Sequence, residues 1–466
     1  MFNDLLYPWN INNLILNKNK FLKISKNVIP NSKINIDVIG GYTNNDLFDW
    51  INIFCTNNKI KLKCNYSKWG KTHELMKQHS INLKTDIIFI FSNTYDFESN
   101  IDQITKKSFR ILYQKIFNKW DEARVNSQYI FQTLIENPII YNNSKQNLKI
   151  HQKINYFNSY ILSQSSKYSN VTIIPTNLIS NEIGLNNYYN LRNWHSYGQY
   201  KSYKSIIHLS SFISSLISNI YNISKKVLIL DLDNTLWGGV FADDGINKIS
   251  LGPDTNDGRA YYEFQKYLLN LKKNGVLLTI CSKNSFNNIR SVFSHPYMLL
   301  KENDFVNIKT NWKNKHVNIK EICNDLNIST NDCVFIDDNK VEREIVRKYL
   351  PEISVPEIGD DASFYIDIIH NNNFFNLNKN ITNEDKIRNQ SYKQNIKRQK
   401  YESNFNDNDT DLFLKSLNTR IKIKKVDDFS FDRSVQLINK TNQFNLNTIR
   451  VTKNNFLNYK NSKNFF

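Results

Sequence analysis

The sequence has few cysteines and no arrangement of them that marks a disulfide framework. The five are Cys55, Cys64, Cys281, Cys323 and Cys333, and no two of them form a C-x-x-C pair. A small, odd and scattered set favours reduced thiols and a cytoplasmic protein over a secreted one. The first residues, MFNDLLYPWNINN, also lack the basic segment and the small-residue cleavage site of a secretory signal.

Long apolar runs and nucleic-acid motifs are missing as well. No run approaches the roughly 18 consecutive apolar residues that a membrane-spanning helix requires, so we expect no membrane segment. No zinc-finger spacing and no aromatic RNA-binding motif occurs, which argues against nucleic acid as a partner. Glycine (12) and proline (8) are also scarce. We attribute that bias to an AT-rich genome and draw nothing about function from it.

Acidic residues are outnumbered by basic ones. The chain has 43 Asp and Glu against 61 Lys and Arg, which gives a formal net charge of +18. Such a charge favours anionic partners, among them phosphorylated metabolites and acidic proteins. The lysines are spread over the whole chain, however, so a solvated basic surface is the simpler interpretation. With 466 residues, of which 40% are hydrophobic, the chain is long enough for two or three domains with substantial cores.

The most informative stretch is residues 227–239, VLILDLDNTLWGG. Its short apolar run predicts a buried strand, and the strand leads directly into Asp231 and Asp233. Residues two apart in a strand share a face, so the two carboxylates repel each other unless a cation lies between them. Mg²⁺ is the simplest candidate because it prefers oxygen ligands. A D-x-D pair alone is more often a solvated turn.

Matching residues follow in a fixed order. Residues 276–282 (VLLTICS) predict a second buried strand that ends at Ser282. Lys315 precedes a helical pattern, and residues 334–336 predict a third strand that leads into Asp337 and Asp338. Ligands of open α/β sheets bind at the carboxyl ends of the strands, so these side chains are expected to meet at one edge.

The order strand–DxD, strand–Ser, Lys, strand–DD resembles the haloacid dehalogenase (HAD) phosphatase superfamily, subfamily IIIC. The segments DLDNTLWGG, CSKN, HPYM, IDDN and NKTNQFN are similar to those of FkbH-like proteins. The resemblance implies a Rossmann-like HAD catalytic domain over residues 226–370. No large insertion separates Gly239 from Ser282, so we expect no bulky cap domain and a site open to a large or protein-borne substrate.

The resemblance also implies roles for the matching residues. Asp231 would be the nucleophile that forms an aspartyl phosphate, and Asp233 would be the general acid and base. Ser282 and Lys315 would bind the phosphoryl group. Thr235 and Asn284 would also bind the substrate, together with Ser282 and Lys315. The ligands of Mg²⁺ would be Asp231, Asp337, Asp338 and the backbone carbonyl of Asp233.

Cys281 is a further candidate, because it is the thiol nearest to the predicted site. FkbH-like proteins are associated with dephosphorylating 1,3-bisphosphoglycerate and passing a glyceryl group through a protein thiol to an acyl carrier protein. That role requires a lowered thiol pKa. Strand alternation argues against it, since Cys281 and Ser282 face opposite ways, and a free cysteine is more often a small buried core residue.

Residues 1–222 predict an α/β domain, because strand patterns at 34–39, 86–91 and 171–175 alternate with helical ones. The resemblance implies a flavodoxin-like, SGNH-hydrolase-like domain. Esterase chemistry in such a domain would need a Ser at the position of Thr43, and an Asp three residues before a His. Here Thr43 replaces the Ser, and the residue three before His195 is Arg192. We therefore expect a domain that is not catalytic.

Residues 380–466 are polar and charged. Residues 421–426 alternate like a strand, and NKTNQFN follows. The resemblance implies the start of an acyltransferase-like (GNAT-like) module of the α+β class, apparently truncated. We predict a Mg²⁺-dependent HAD phosphatase or glyceryl transferase. The alternatives are a simple small-molecule phosphatase and a non-catalytic scaffold with a vestigial HAD site.

Overall fold

The structure is a computed structural model, and it describes most of the chain. The described residues are 3–40, 44–67, 72, 74–75, 85–92, 105–122, 127–134, 145–168, 170–221, 223–246, 248–285, 289–375, 391–396, 398, 420, 422–440 and 451–460. The chain forms two compact units. The amino-terminal unit contains residues 10–223 and 426–466, and the central unit contains residues 1–9 and 224–425.

The amino-terminal unit is built on a parallel sheet of five strands. They are β1 (Ser32–Gly40), β2 (Ile60–Tyr66), β3 (Ile87–Phe91), β4 (Gln128–Gln132) and β5 (Val171–Ile174), in the order β2-β1-β3-β4-β5. This is the strand order of flavodoxin-like sheets. The sequence pattern indicates β1, β3 and β5 but misses β2 and β4. Strand β2 is an edge strand in which exposed lysines alternate with apolar residues, and β4 is a short, mostly buried strand.

Helices flank this sheet. They are α1 (Ile11–Asn27), α2 (Asn45–Thr56), α3 (Lys106–Glu122), α4 (Lys145–Ser165), α5 (Thr176–Ile183), α6 (Leu185–Tyr188), α7 (Leu191–Tyr197) and α8 (Tyr203–Ile220). Helix α8 buries the apolar residues that its sequence spacing predicts, among them Ile206, Leu209 and Ile213. Its first turn is capped by Ser202, whose side chain accepts a hydrogen bond from the backbone N–H of Ser205.

The central unit contains a second parallel sheet. Its strands are β6 (Val227–Leu230), β7 (Leu277–Ser282), β8 (Phe305–Thr310) and β9 (Cys333–Ile336), in the order β8-β7-β6-β9. The chain moves from β6 outward through β7 to β8 and then returns to the other side of β6, as in one half of a Rossmann fold. The predicted α/β class with a Rossmann-like core is confirmed.

Helices connect these strands. They are α9 (Phe241–Asp244), α10 (Asn256–Lys273), α11 (Lys315–Leu326), α12 (Lys340–Tyr349) and α13 (Tyr365–Asn371). Gly275, just after α10, has a positive φ of 88°, a conformation that glycine commonly adopts just after a helix end. Between Gly239 and Ser282 the described residues contain only the one-turn α9, the crossover helix α10 and strand β7. Among these residues there is no cap domain.

Apolar clusters cover both faces of this sheet. Leu228 and Leu230 pack with residues of α10 on one face, whereas Val227 and Ile229 pack with residues of α11 on the other. Strands buried on both faces explain why the sequence shows continuous apolar runs in place of alternation. Burying each large apolar side chain contributes roughly 1.5–3 kcal/mol, so the sheet is a rigid base for the residues at its edge.

The described part of the carboxyl-terminal segment includes the helices α14 (Asp428–Lys440) and α15 (Lys453–Lys460). The strand expected over residues 421–426 is wrong for the part that is described, since residues 422–427 have no regular structure. Alternation alone does not make a strand, because a strand needs a neighbour for its backbone hydrogen bonds. Most of the NKTNQFN motif lies outside the described residues. None of the helices in the described ranges is long and apolar enough to cross a membrane.

Candidate active site

Two adjacent strands end at acidic residues in the central unit. Asp231 follows β6 and Asp337 follows β9, and the backbone N–H of Asp231 donates to the carbonyl of Ile336 at 3.0 Å. Strand β7 pairs with the opposite side of β6, so Asp231 lies where the strand order reverses. Ligands of open α/β sheets bind at such a reversal.

Lys315 joins the two acidic strand ends. Its Nζ lies 2.9 Å from Asp231 Oδ2 and 2.6 Å from Asp337 Oδ2, and all three side chains are buried. Lys315 is the first residue of α11, so the helix begins slightly earlier than the sequence pattern indicates. The helix start therefore fixes where this ammonium group enters the site.

The electrostatics of this trio follow from burial and proximity. Burial and the neighbouring Asp231 carboxylate raise the pKa of Asp337 to about 7, although Lys315 opposes that rise. Burial alone would lower the pKa of Lys315, but the carboxylates of Asp231 and Asp337 outweigh it, so its pKa is raised. Two unit charges 4 Å apart interact by about 4 kcal/mol at an effective dielectric constant of 20, so one lysine leaves part of the acidic charge uncompensated.

The remaining acidic charge suits a divalent cation. Asp231, Asp337 and Asp338 each offer a carboxylate oxygen, and these oxygens lie within 4.8 Å of one another. Asp231 Oδ1 is buried, with no hydrogen-bond partner among the described residues. An all-oxygen set with one orphaned carboxylate oxygen fits a hard cation such as Mg²⁺. The Asp233 carboxylate does not belong to this group.

Asp233 lies in a separate set of hydrogen bonds. Its Oδ1 accepts from the indole Nε1 of Trp237 and from the backbone N–H of Phe241, both at 3.0 Å. Its Oδ2 accepts from Asn284 Nδ2 at 2.7 Å. The two acids of the D-x-D pair therefore have different surroundings: Asp231 faces a lysine, and Asp233 faces neutral donors.

The turn after Asp233 depends on two residues in unusual conformations. Asn234 has a φ of 51° and Gly239 a φ of 94°. The Asn234 side chain accepts from the Gly239 N–H at 2.8 Å, and its carbonyl accepts from the Tyr365 hydroxyl at 3.0 Å. Thr235 is buried inside this turn, and its hydroxyl has no hydrogen-bond partner among the described residues.

Ser282 and Asn284 lie at and just beyond the end of β7, and both are buried. Asn284 Nδ2 lies 3.4 Å from Ser282 Oγ in addition to its contact with Asp233. The sequence analysis assigned Asn284 to substrate binding. In the structure its amide is committed to two protein side chains, so its observed contacts are with the site itself.

Cys281 does not meet the acidic residues. It is 0% exposed, it packs in the apolar cluster that faces α11, and its Sγ lies 3.6 Å from the carbonyl oxygen of Lys315. Burial raises the pKa of its thiol, although Lys315 opposes this. The lowered thiol pKa that an acyl-carrying role requires is therefore not found, because strand alternation turns Cys281 to the face opposite Ser282.

Arg343 is a site residue that the sequence analysis did not assign. Its guanidinium donates to the carbonyls of Asp337 and Asp338, at 2.8 and 2.6 Å, and pairs with Glu357 at 2.7 Å. It is almost fully buried. The sequence feature that could have indicated this role is the position of Arg343 in α12, six residues after Asp337. A long side chain can reach back to the turn from that position.

The residues tied to esterase chemistry belong to the amino-terminal unit. Thr43 lies outside the described residues. His195 and Arg192 lie on the exposed side of the short helix α7. The expectation that this domain is not an esterase stays a prediction.

Comparison with known proteins shows a similarity to a solved structure. Neither a protein-family model nor a curated protein matches the sequence. A solved structure that resembles this chain is the N-terminal part of a Bacteroides fragilis protein, which contains a phosphatase domain and was crystallised in complex with Mg. The two share 25% sequence identity with a TM-score of 0.69, and the match covers 77% of this chain and 98% of that chain.

Proposed function

We propose that this protein is a Mg²⁺-dependent HAD-like phosphatase with Asp231 as its nucleophile. The observation that carries the proposal is the set of three carboxylates at two adjacent strand ends, bridged by a buried lysine. The similarity to a phosphatase domain crystallised with Mg supports it. A scaffold with a vestigial site would have no reason to keep such an uncompensated acidic cluster.

The first chemical step transfers the phosphoryl group to the protein. A carboxylate oxygen of Asp231 attacks phosphorus, the bond to the leaving oxygen breaks, and Asp233 gives its proton to that oxygen. Lys315 neutralises negative charge beside Asp231, and the hydroxyl of Ser282 donates to a phosphoryl oxygen. The products of this step are the free alcohol or acid and an aspartyl phosphate.

The second step returns the protein to its starting state. Asp233, now a carboxylate, takes a proton from a water molecule whose oxygen attacks phosphorus. The bond between phosphorus and Asp231 breaks, and inorganic phosphate leaves. Asp231, Asp337 and Asp338 would hold Mg²⁺, which supplies charge neutralisation for the phosphoryl group.

Phosphate release from a panel of phosphometabolites tests this proposal. We expect release with Mg²⁺, none with EDTA, and a loss of several orders of magnitude in Asp231→Asn. Lys18→Met is a control outside the central unit. It removes a partly buried lysine that pairs with two carboxylates, and it should keep the wild-type rate. Equal rates with Mg²⁺ and EDTA, or an unaffected Asp231→Asn variant, would contradict the proposal.

A finer version names the substrate and the acceptor. We propose that the substrate is an acyl phosphate of the 1,3-bisphosphoglycerate type, and that Asp231 takes the phosphoryl group from its phosphate ester. The thiol of an acyl carrier protein attacks the acyl carbon, a thioester forms as the bond to the acyl phosphate oxygen breaks, and inorganic phosphate leaves. This version rests on the motif resemblance to FkbH-like proteins. Two exposed apolar residues support a protein partner. Trp312 (75% exposed) follows β8, and Val341 (65% exposed) follows β9, so both lie on connections at the catalytic edge. Lys313 and Lys340 adjoin them.

Intact-protein mass spectrometry tests the finer version. The protein, Mg²⁺, the acyl phosphate and a phosphopantetheinylated carrier are incubated together, and we expect a glyceryl mass on the carrier. Because Cys281 is buried, we expect the Cys281→Ala variant to retain the transfer, whereas Trp312→Ala weakens it. Phosphate release with no adduct on either protein would leave a simple phosphatase.

A further inference from the structure

We propose that Trp237 and Asn284 are positioning residues that hold Asp233 as the proton donor and acceptor of phosphoryl transfer, with the proton carried on Oδ2. This inference rests on the proposed phosphatase function. Neither residue touches Asp231, Lys315 or Asp337 in any hydrogen bond of the described chain, so both would act through Asp233.

The hydrogen bonds around Asp233 distinguish its two oxygens. Oδ1 accepts from Trp237 Nε1 and from the Phe241 N–H. Oδ2 accepts only from Asn284 Nδ2 among the described residues. A carboxylate oxygen has two lone-pair positions, so Oδ1 is fully used and Oδ2 keeps one position. That free position is where a proton can be held and exchanged.

Trp237 is suited to fixing a carboxylate. It is 0% exposed and belongs to the apolar cluster around Leu232, Leu236 and Phe264, so the ring cannot turn without disturbing the core. Its indole N–H can only donate a hydrogen bond, and it donates to Asp233. Packing thus holds the ring, the ring holds Oδ1, and the carboxylate plane is set before substrate binds.

Asn284 couples Asp233 to the neighbouring strand. Its amide nitrogen lies 2.7 Å from Asp233 Oδ2 and 3.4 Å from Ser282 Oγ. The Asn284 side chain therefore fixes the position of the Asp233 carboxylate relative to the Ser282 hydroxyl, which is proposed to bind the phosphoryl group. Misplacing a reacting group by about 1 Å can reduce a rate by about a hundredfold, so these contacts matter for the rate more than for substrate binding.

The role predicts a dependence on the leaving group. In the first step the Oδ2 proton moves to the leaving oxygen as its bond to phosphorus breaks. An alkoxide leaving group needs that proton, whereas p-nitrophenolate leaves without it. Positioning residues for Asp233 should therefore matter for an alkyl phosphate and matter little for p-nitrophenyl phosphate.

Single-turnover release of the leaving group measures this first step alone. We expect Trp237→Phe and Asn284→Ala to slow release from β-glycerophosphate about 10- to 100-fold, part of the 10²–10⁴ that general acid–base catalysis supplies. Release from p-nitrophenyl phosphate should fall less than about threefold. The concentration that gives half of the maximal single-turnover rate should stay unchanged for both substrates. The Phe variant keeps an aromatic ring in the core and removes the N–H donor together with part of the ring volume.

A matched control separates lost packing from a lost hydrogen bond. Trp50 is also 0% exposed, but its indole nitrogen has no hydrogen-bond partner in the described chain, so Trp50→Phe should leave both rates unchanged. If Trp237→Phe does not fold, as judged by its thermal transition, Asn284→Ala alone decides the question.

A double-mutant cycle shows whether the residues act through Asp233. In an Asp233→Ala background, Trp237→Phe and Asn284→Ala should each reduce the rate less than twofold further. Full additivity, or equal losses with the alkyl and aryl substrates, would overturn the inference while leaving the phosphatase intact. A wild-type protein that releases no phosphate with Mg²⁺ would instead contradict the proposed function itself.

Discussion

Lys315 Nζ lies 2.6 Å from Asp337 Oδ2, and both side chains are almost completely buried. Replacing Lys315 with Met keeps the length of the side chain and removes its charge, which leaves Asp231 and Asp337 facing each other. Removing one partner of a buried ion pair costs about 3–5 kcal/mol. We expect a lower thermal midpoint in the metal-free Lys315→Met variant.

Mg²⁺ should raise the thermal midpoint of the Lys315→Met variant more than that of the wild-type protein, because the ion then replaces the lost positive charge. Thermal unfolding with EDTA and with excess Mg²⁺ measures both the loss of stability in the variant and the gain on metal binding. The Lys18→Met control should show no gain with Mg²⁺ beyond that of the wild type. An equal gain in all three proteins would argue against a metal between these carboxylates.

A second prediction concerns pH. The pKa of Asp337 is raised from 3.8 to about 7 in the folded, metal-free chain, so between these values the folded state binds more protons than the unfolded state. Stability then falls as pH rises from about 4 to about 7. Denaturant titrations in EDTA should show this decline, and Asp337→Asn should remove it.

The same protonation opposes metal binding. Mg²⁺ requires the ionised carboxylate, so the affinity for Mg²⁺ should weaken as pH falls below about 7. Calorimetric titrations at several pH values measure this, with proton release expected near pH 6. An affinity that does not change between pH 5.5 and 8 would show that Asp337 is not a ligand.

A third prediction concerns the thiol of Cys281. Its burial and raised pKa keep it in the unreactive form, because the thiolate is the nucleophile. Iodoacetamide at pH 8 should leave Cys281 unmodified in the native protein and modify it after unfolding in urea. Peptide mapping by mass spectrometry gives the result, and stoichiometric labelling of the native protein would restore Cys281 as a candidate acyl carrier.

The main site residues could be predicted because their order along the chain reflects the sheet. Apolar runs that end in Asp231, Ser282 and Asp337 place these residues at one edge of any parallel sheet that they form. The functions of Trp237 and Asn284 could not be predicted in this way. Each depends on which way a side chain turns after its strand ends, and packing of the whole unit decides that.

The strands, too, could be predicted from the sequence only in part. Strand β1 has a strong apolar pattern and is evident in the sequence, whereas β2 lies at the edge with alternating lysines and resembles a solvated segment. The reverse error occurs at residues 421–426, where alternation is present but the described residues 422–426 find no neighbouring strand. The mostly buried strand β4 is missed as well, so local pattern alone does not decide where a strand forms.

The last prediction concerns Arg343, which supports the turn that carries Asp337 and Asp338. Its guanidinium holds both backbone carbonyls, so Arg343→Met should let the turn shift and separate the carboxylates. Residues that orient metal ligands typically affect metal affinity by about 10- to 100-fold, and we expect a loss of that size for Mg²⁺.

Arg347→Met is the matched control for this change. Arg347 lies one turn further along α12, donates to the carbonyl of Val355 at 2.7 Å and shares Glu357 with Arg343. Its loss removes an arginine from the same helix, whereas Arg343 keeps its hydrogen bonds to the two carbonyls of the acidic turn. Its Mg²⁺ affinity, measured by calorimetry, should equal that of the wild type. Equal losses in the two variants would mean that general destabilisation of α12, and not support of the turn, weakens the metal site.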